Sequence, residues 1–198
     1  MIALHQNFYE EFLEEYRNAQ LVFTPPNVNP GSCLWRAPPA EEFKLNFDAA
    51  IFADQHCSGF GAIIRNSAGE VMAGMSVKGP EVKSSEEAEV LACRRAMEFS
   101  REVGFSRVII EGDCLNVMKA LSVSTENSSL LGHIYEDIKF NLRGMQVLSI
   151  NWVKRGGNMV AHALAKHARN LTNDVFLIED NPPPAEDALY YDSLHINE

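Results

Sequence analysis

Large apolar side chains recur four apart at Phe8, Phe12 and Tyr16, with Tyr9 and Leu13 beside them and Glu10, Glu11, Glu14 and Glu15 between. That spacing predicts one amphipathic helix ahead of Pro25. The pattern then breaks, because Pro25, Pro26, Pro30, Pro38 and Pro39 together with Gly31 bias residues 24–40 towards an extended linker. Beyond about Glu42 the chain changes character. Runs 43–52, 59–65 and 71–77 read as strands, the second and third joined by Asn66, Ser67, Ala68 and Gly69, a cluster of hairpin length. A helix over 85–103 follows, with Ser84 or Ser85 to cap it, Glu86 and Glu87 at the positive end of its dipole, and Gly104 to end it. Next come a strand over 107–112, helices over 114–122 and 129–142, a strand over 146–153 and a last helix over 159–169. This order predicts an α/β fold, a mixed sheet with helices on its faces and an antiparallel hairpin at one edge. After residue 170, Pro182, Pro183 and Pro184 sit among Glu179, Asp180, Glu186 and Asp187, a composition that predicts a mobile tail in which only 175–178 could dock locally. The expected organisation is a helix and proline-rich linker over 1–42, a folded domain over 43–170, and an acidic tail over 171–198.

Composition narrows the picture. A chain of 198 residues that is 46% apolar and 22% charged suits one full domain with flanking segments. No apolar run is long enough for a membrane span, and the N-terminus is acidic where a signal peptide would be basic, so neither membrane insertion nor secretion is expected. Cys33, Cys57, Cys93 and Cys114 form no CxxC pair, which points to a reducing intracellular compartment, nucleus or cytosol, with neither a disulfide framework nor a zinc knuckle. The net charge of −10 argues against a nucleic-acid partner until it is divided. Residues 1–42 carry six acids and two bases and residues 171–198 seven acids and no base, which leaves the middle at +1. Within it, residues 151–170 hold Lys154, Arg155, Lys166 and Arg169 and no acid, either a strip that meets phosphate or a solvated helix face.

Three carboxylates sit where structure alone would not put them. Asp48 interrupts a strand, where aspartate has poor propensity and needs a partner if buried. Glu89 shares a helix face with Ala92, Cys93 and Ala96. Asp113 follows the strand Val108 to Gly112, at the carboxyl end where open α/β sheets place their sites. Singly, each could be a buried ion pair or a helix cap. Three negative charges brought together at low dielectric are tolerable chiefly when divalent cations neutralise them.

Residues 43–170 resemble ribonuclease H type 1, most closely the plant ribonuclease H-like domains related to non-LTR retrotransposon reverse transcriptases. The resemblance rests on Lys44-Leu45-Asn46-Phe47-Asp48, on Ala88-Glu89 with Ala92, Arg95 and Ala96, on Val108-Ile109-Ile110-Glu111-Gly112-Asp113, and on Trp152-Val153-Lys154-Arg155 followed by Asn158, Val160, Ala161, His162, Leu164, Ala165 and Lys166. It implies a ribonuclease H-like sheet of three antiparallel and then two parallel strands with helices on both faces. It also implies hydrolysis of the RNA strand of an RNA–DNA hybrid by a monomer with two Mg²⁺ ions, Mn²⁺ being the alternative, and products with 3′-hydroxyl and 5′-phosphate ends. Asp48, Glu89, Asp113 and His162 would be the catalytic and metal-holding residues. Ala49, Ala50, Asn116, Lys154, Arg155 and Asn158 would lie against the nucleic acid, the 2′-hydroxyl being the feature that separates RNA from DNA.

The sequence departs from that pattern in four places. Histidine stands at position 162 where the family commonly has aspartate, and Mg²⁺ prefers oxygen donors. Ala49 replaces a frequent glycine, the loop between Lys154 and Asn158 is short, and the basic gripping helix of bacterial members has no counterpart after Leu121. Slow turnover and weak, salt-sensitive hybrid binding are therefore expected, and the second reading is a catalytically weak or inactive nucleic-acid-binding module. His56, His133 and His167 lack partners at zinc-ligand spacing, Phe99 and Trp152 read as core, and Gly59 and Gly61 read as strand packing, so no nucleotide cofactor is implied.

Overall fold

The computed structural model describes residues 33–123 and 130–196; the helix expected near the N-terminus, the first part of the linker and the expected helix start at Ser129 lie outside the described residues. Six strands form one sheet: β1 (Phe43–Phe52), β2 (Cys57–Arg65), β3 (Val71–Gly79), β4 (Arg107–Gly112), β5 (Gln146–Trp152) and β6 (Val175–Ile178), in the spatial order β5-β4-β1-β2-β3-β6. β1, β2 and β3 are an antiparallel meander, whereas β4 lies parallel to both β1 and β5. Among the described residues five α-helices accompany it: α1 (Ser85–Glu102), α2 (Leu115–Ser122), α3 (Gly132–Arg143), α4 (Met159–His167) and α5 (Glu186–Ser193).

Local chemistry explains the boundaries. The β2–β3 turn is held by the Asn66 side-chain oxygen, which accepts from the backbone N–H groups of Ala68 and Glu70 at 2.9 and 3.0 Å, while Gly69 takes φ +79°, a left-handed conformation that glycine adopts without strain. Ser84 caps α1 by accepting from Glu87 N–H at 3.1 Å.

The period of two along each strand sorts side chains onto two faces. Leu45, Phe47, Phe60, Ala62, Ile64, Ala73, Met75, Val108 and Ile110 enter the larger core, which α1 closes with Val90, Cys93, Ala96 and Met97, and to which α2 and α3 contribute Met118 and Ile138. On the opposite face Ile63 and Val71 meet Val160 and Leu164 of α4 together with Ala185. Helices therefore cover both faces. A Cβ at Gly59 or Gly61 would collide with the backbone of Ala165 or Ala161, so these glycines let α4 lie directly on β2.

The packed unit extends past both expected boundaries. Trp35, well before Glu42, is fully buried, its indole N–H donating to Asn46 Oδ1 at 3.0 Å and its ring lying 3.6 Å from the Arg65 guanidinium. In the segment expected to be a mobile tail, residues 175–178 dock as β6, antiparallel to β3 with Gly74 opposite Leu177, and the chain then forms α5 where mobility was expected. The buried Asp192 of α5 binds the equally buried Arg65 at 2.7 Å. A buried guanidinium at the end of β2 needs a carboxylate, and the acidic C-terminal segment supplies it.

Candidate metal centre

Asp48 lies on β1 directly opposite Gly61 of β2, Glu89 on the second turn of α1, and Asp113 just beyond β4. The parallel pairing of β1 with β4, Asn46 beside Glu111, brings the first and third of these to neighbouring strands, and α1 delivers the second. One oxygen from each carboxylate lies within 4.8 Å of the others. Asp113 caps no helix, since Cys114 precedes α2 without a side-chain cap. Asp48 is wholly inaccessible and Glu89 is buried.

Burial dominates the electrostatics of the cluster. Asp48 Oδ1 and Glu89 Oε2 are buried without a hydrogen-bond partner. Burial, reinforced by the charges of Asp48 and Asp113, pushes the Glu89 carboxyl up to about 9. Burial and the Asp48 charge push Asp113 up to about 6, with Arg155 acting in the opposite direction. Unpaired buried carboxylate oxygens converging on one point suit a hard divalent cation, and the donor set fits Mg²⁺ or Mn²⁺.

His162 of α4 reaches the same place, its Nδ1 2.6 Å from Asp48 Oδ2. Arg155 lies above the cluster, with Nη1 2.6 Å from Asp48 Oδ2, Nε 2.9 Å from Asp113 Oδ2, and Nη1 2.5 Å from His162 Nδ1. A guanidinium only donates, so Nδ1 either keeps its lone pair for Arg155 or carries a proton for Asp48, and it does one at a time.

The residues expected to meet nucleic acid separate. Ala49 and Ala50 line an open groove with Ile51, Phe52, His162, Lys166 and Arg169, although Arg169 is already tied to Asp54 at 2.5 Å. Lys154 and Asn116 are exposed. Asn158 is buried and donates to Phe47 C=O at 2.8 Å, which makes it an anchor for the loop rather than a surface contact. Arg155 faces the carboxylates. Glu111, for which no role was expected, is buried, binds Lys44 at 2.8 Å and accepts from Asn46 at 3.2 Å, cementing β1 to β4 beside the cluster. Alternation along both strands was the available signal, since it puts Lys44, Asn46 and Glu111 on one face.

The reverse transcriptase-like family matches residues 46–168, a span that begins two residues before Asp48 and ends beyond His162. The chain belongs to that family. Among solved structures, it is similar to ribonuclease H1 from the halophilic archaeon Halobacterium salinarum, with 24% identity and a TM-score of 0.59 over 65% of this chain and 98% of that one. The N-terminal ribonuclease H domain of a Mycobacterium tuberculosis protein matches at 20% identity and a TM-score of 0.53, over 64% of this chain and 92% of that one. LC11 ribonuclease H1, in complex with an RNA/DNA hybrid, matches at 20% identity and 0.54, covering 64% and 96%. No curated protein matches the chain. The fold is that of ribonuclease H, as the four sequence motifs implied. No helix among the described residues is long and apolar enough to cross a membrane.

Proposed function

We propose that this member of the reverse transcriptase-like family is a metal-dependent endoribonuclease that hydrolyses the RNA strand of RNA–DNA hybrids. The observation that carries the reading is the meeting of Asp48, Glu89 and Asp113, with buried oxygens of Asp48 and Glu89 left unpartnered. The hybrid in one structural neighbour, and the ribonuclease H1 identity of others, support the substrate class. Asp48, Glu89 and Asp113 would hold Mg²⁺ or Mn²⁺, which supplies a nucleophile from water near neutral pH and stabilises the departing 3′ oxygen.

The remaining work falls to this chain's own groups. Asp48, fixed on a central strand with no solvent contact, orients the site. His162, with its side chain 20% exposed, has one nitrogen on Asp48 and can hold or release a proton at the rim. Ala49 and Ala50 form the floor along which a strand would run, with Lys166 beside it to meet phosphate. The protein would act as an intracellular monomer descended from a plant retroelement.

The test is cleavage of an end-labelled hybrid with Mg²⁺ or Mn²⁺, using Asp48→Asn as control. Cleavage by the native protein that is lost in the variant supports the reading; equal silence of both under both metals rejects it. One observation favours the second reading, a module that binds without cutting: Arg155 already occupies Asp48 and Asp113. Under that reading hybrid binding persists in the same assay while no product forms.

A further inference from the structure

We propose that Arg155 is a resident cation of the carboxylate site, competing with the divalent ion for Asp48 and Asp113 and leaving when the ion enters; this rests on reading the cluster as a divalent-metal site. The loop that carries Arg155 is fixed by contacts that do not involve the Arg155 side chain. Asn158 pins the turn Arg155–Asn158 to the backbone of β1, and Gly156 passes so close to the backbone of Cys33 that no Cβ would fit. The Arg155 side chain is nevertheless 48% exposed, so it can swing into water without opening the core.

Its contacts are those of a substitute cation. Nη1 and Nε divide between two different carboxylates, one oxygen of each, instead of forming the parallel two-bond clamp on a single carboxylate that arginine favours in a purely structural pair. One positive charge answers three carboxylates, and it leaves Asp48 Oδ1 and Glu89 Oε2 unpartnered. A divalent ion brings twice the charge and a preference for oxygen donors, which suits it to both the oxygens Arg155 uses and those it leaves. A guanidinium on Asp48 Oδ2 takes the lone pair that a divalent ion would use there, and its charge beside the ion's is repulsive. Binding of one therefore expels the other, and the native protein takes up metal more weakly than its carboxylates alone would allow.

The test is calorimetric titration of Mn²⁺ into the full chain without nucleic acid, for the native protein, Arg155→Gln and Arg155→Lys, with circular dichroism to establish that each is folded. Arg155→Gln is expected to bind Mn²⁺ roughly five- to tenfold more tightly, the lower end of an ordinary coupling between two ligands. Arg155→Lys, which keeps the charge and loses the fork, should fall between. In excess chelator Arg155→Gln should melt below the native protein, and it should gain more from Mn²⁺. Equal or weaker binding by Arg155→Gln, or no Mn²⁺ binding by any of the three, overturns the proposal. The two readings fail separately: tighter Mn²⁺ binding without hybrid cleavage rejects the nuclease and leaves the competition standing, whereas cleavage with unchanged affinity does the reverse.

Discussion

Arg65 and Asp192 join the second strand to the last helix, and their replacement gives a quantitative test of whether the C-terminal segment is part of the fold. The pair is separated by 2.7 Å, with side chains 2% and 4% exposed, so solvent screening is negligible. Burial lowers the Arg65 pKa and raises that of Asp192, each outweighing the attraction of its partner, so both groups would be better solvated in the unfolded chain. Asp192→Asn leaves a buried guanidinium on the Trp35 ring without its paired carboxylate, and breaking such a pair costs about 3–5 kcal/mol. That is a large share of a total stability of about 5–15 kcal/mol. Arg65→Met should cost less at low pH, where Asp192 is protonated. The double variant Arg65→Met with Asp192→Leu should return to within about 2 kcal/mol of the native protein, because neither charge is stranded. Urea denaturation at fixed pH gives all three values from the midpoints if the slope is unchanged. A loss under about 1 kcal/mol for Asp192→Asn would mean that α5 does not dock, and the reasoning fails.

Four further outcomes follow from the site. Gly61→Ala, facing the α4 backbone across from Asp48, should cost about 1–3 kcal/mol from overpacking and should weaken cleavage by displacing His162; native melting temperature and turnover would contradict this. Because Asp113 and Glu89 have raised pKa values in the metal-free protein, protonation favours the folded state. That contribution is complete below their ordinary values and is lost as pH rises through about 6 and then about 9, so without metal, thermal stability should fall over that window and added Mn²⁺ should offset the fall. Mn²⁺ affinity should rise from pH 5 to pH 7 with proton release, visible as a buffer-dependent calorimetric heat; a flat profile would contradict it. His162→Asp should shift metal preference from Mn²⁺ towards Mg²⁺, since an oxygen donor replaces imidazole, and an unchanged preference in cleavage assays would place His162 outside the metal's reach.

The legibility of the sequence divides along physical lines. Asp48 was visible because an acid in an apolar strand conflicts with its surroundings, and Glu89 and Asp113 because their neighbours were packing residues; such conflicts mark sites where local preference is overruled. The strand and helix order of residues 43–170 followed from periodicity and turn chemistry, and Gly59 and Gly61 serve strand packing as read. The C-terminal strand was legible only as a run, 175–178, that could dock locally; its pairing was not, nor was the helix after it. Four residues, Val175–Ile178, among acids and prolines carry no strong pattern, and their place is set by pairing with β3, about a hundred positions away in the chain. The burial of Trp35, which stands in the lead-in to the first strand, was not legible for the same reason, since its partners Asn46 and Arg65 come from β1 and β2. Arg155 read as a phosphate contact because composition gives charge and not direction; the short turn after β5 aims it back at Asp48 and Asp113.

The most direct test of the account is anomalous diffraction from crystals of the full chain grown with Mn²⁺. The expected map has a metal peak coordinated by oxygens of Asp48, Glu89 and Asp113, with the Arg155 guanidinium withdrawn from Asp48. A map with no peak at that point in saturating Mn²⁺, and Arg155 still spanning Asp48 and Asp113, would contradict it.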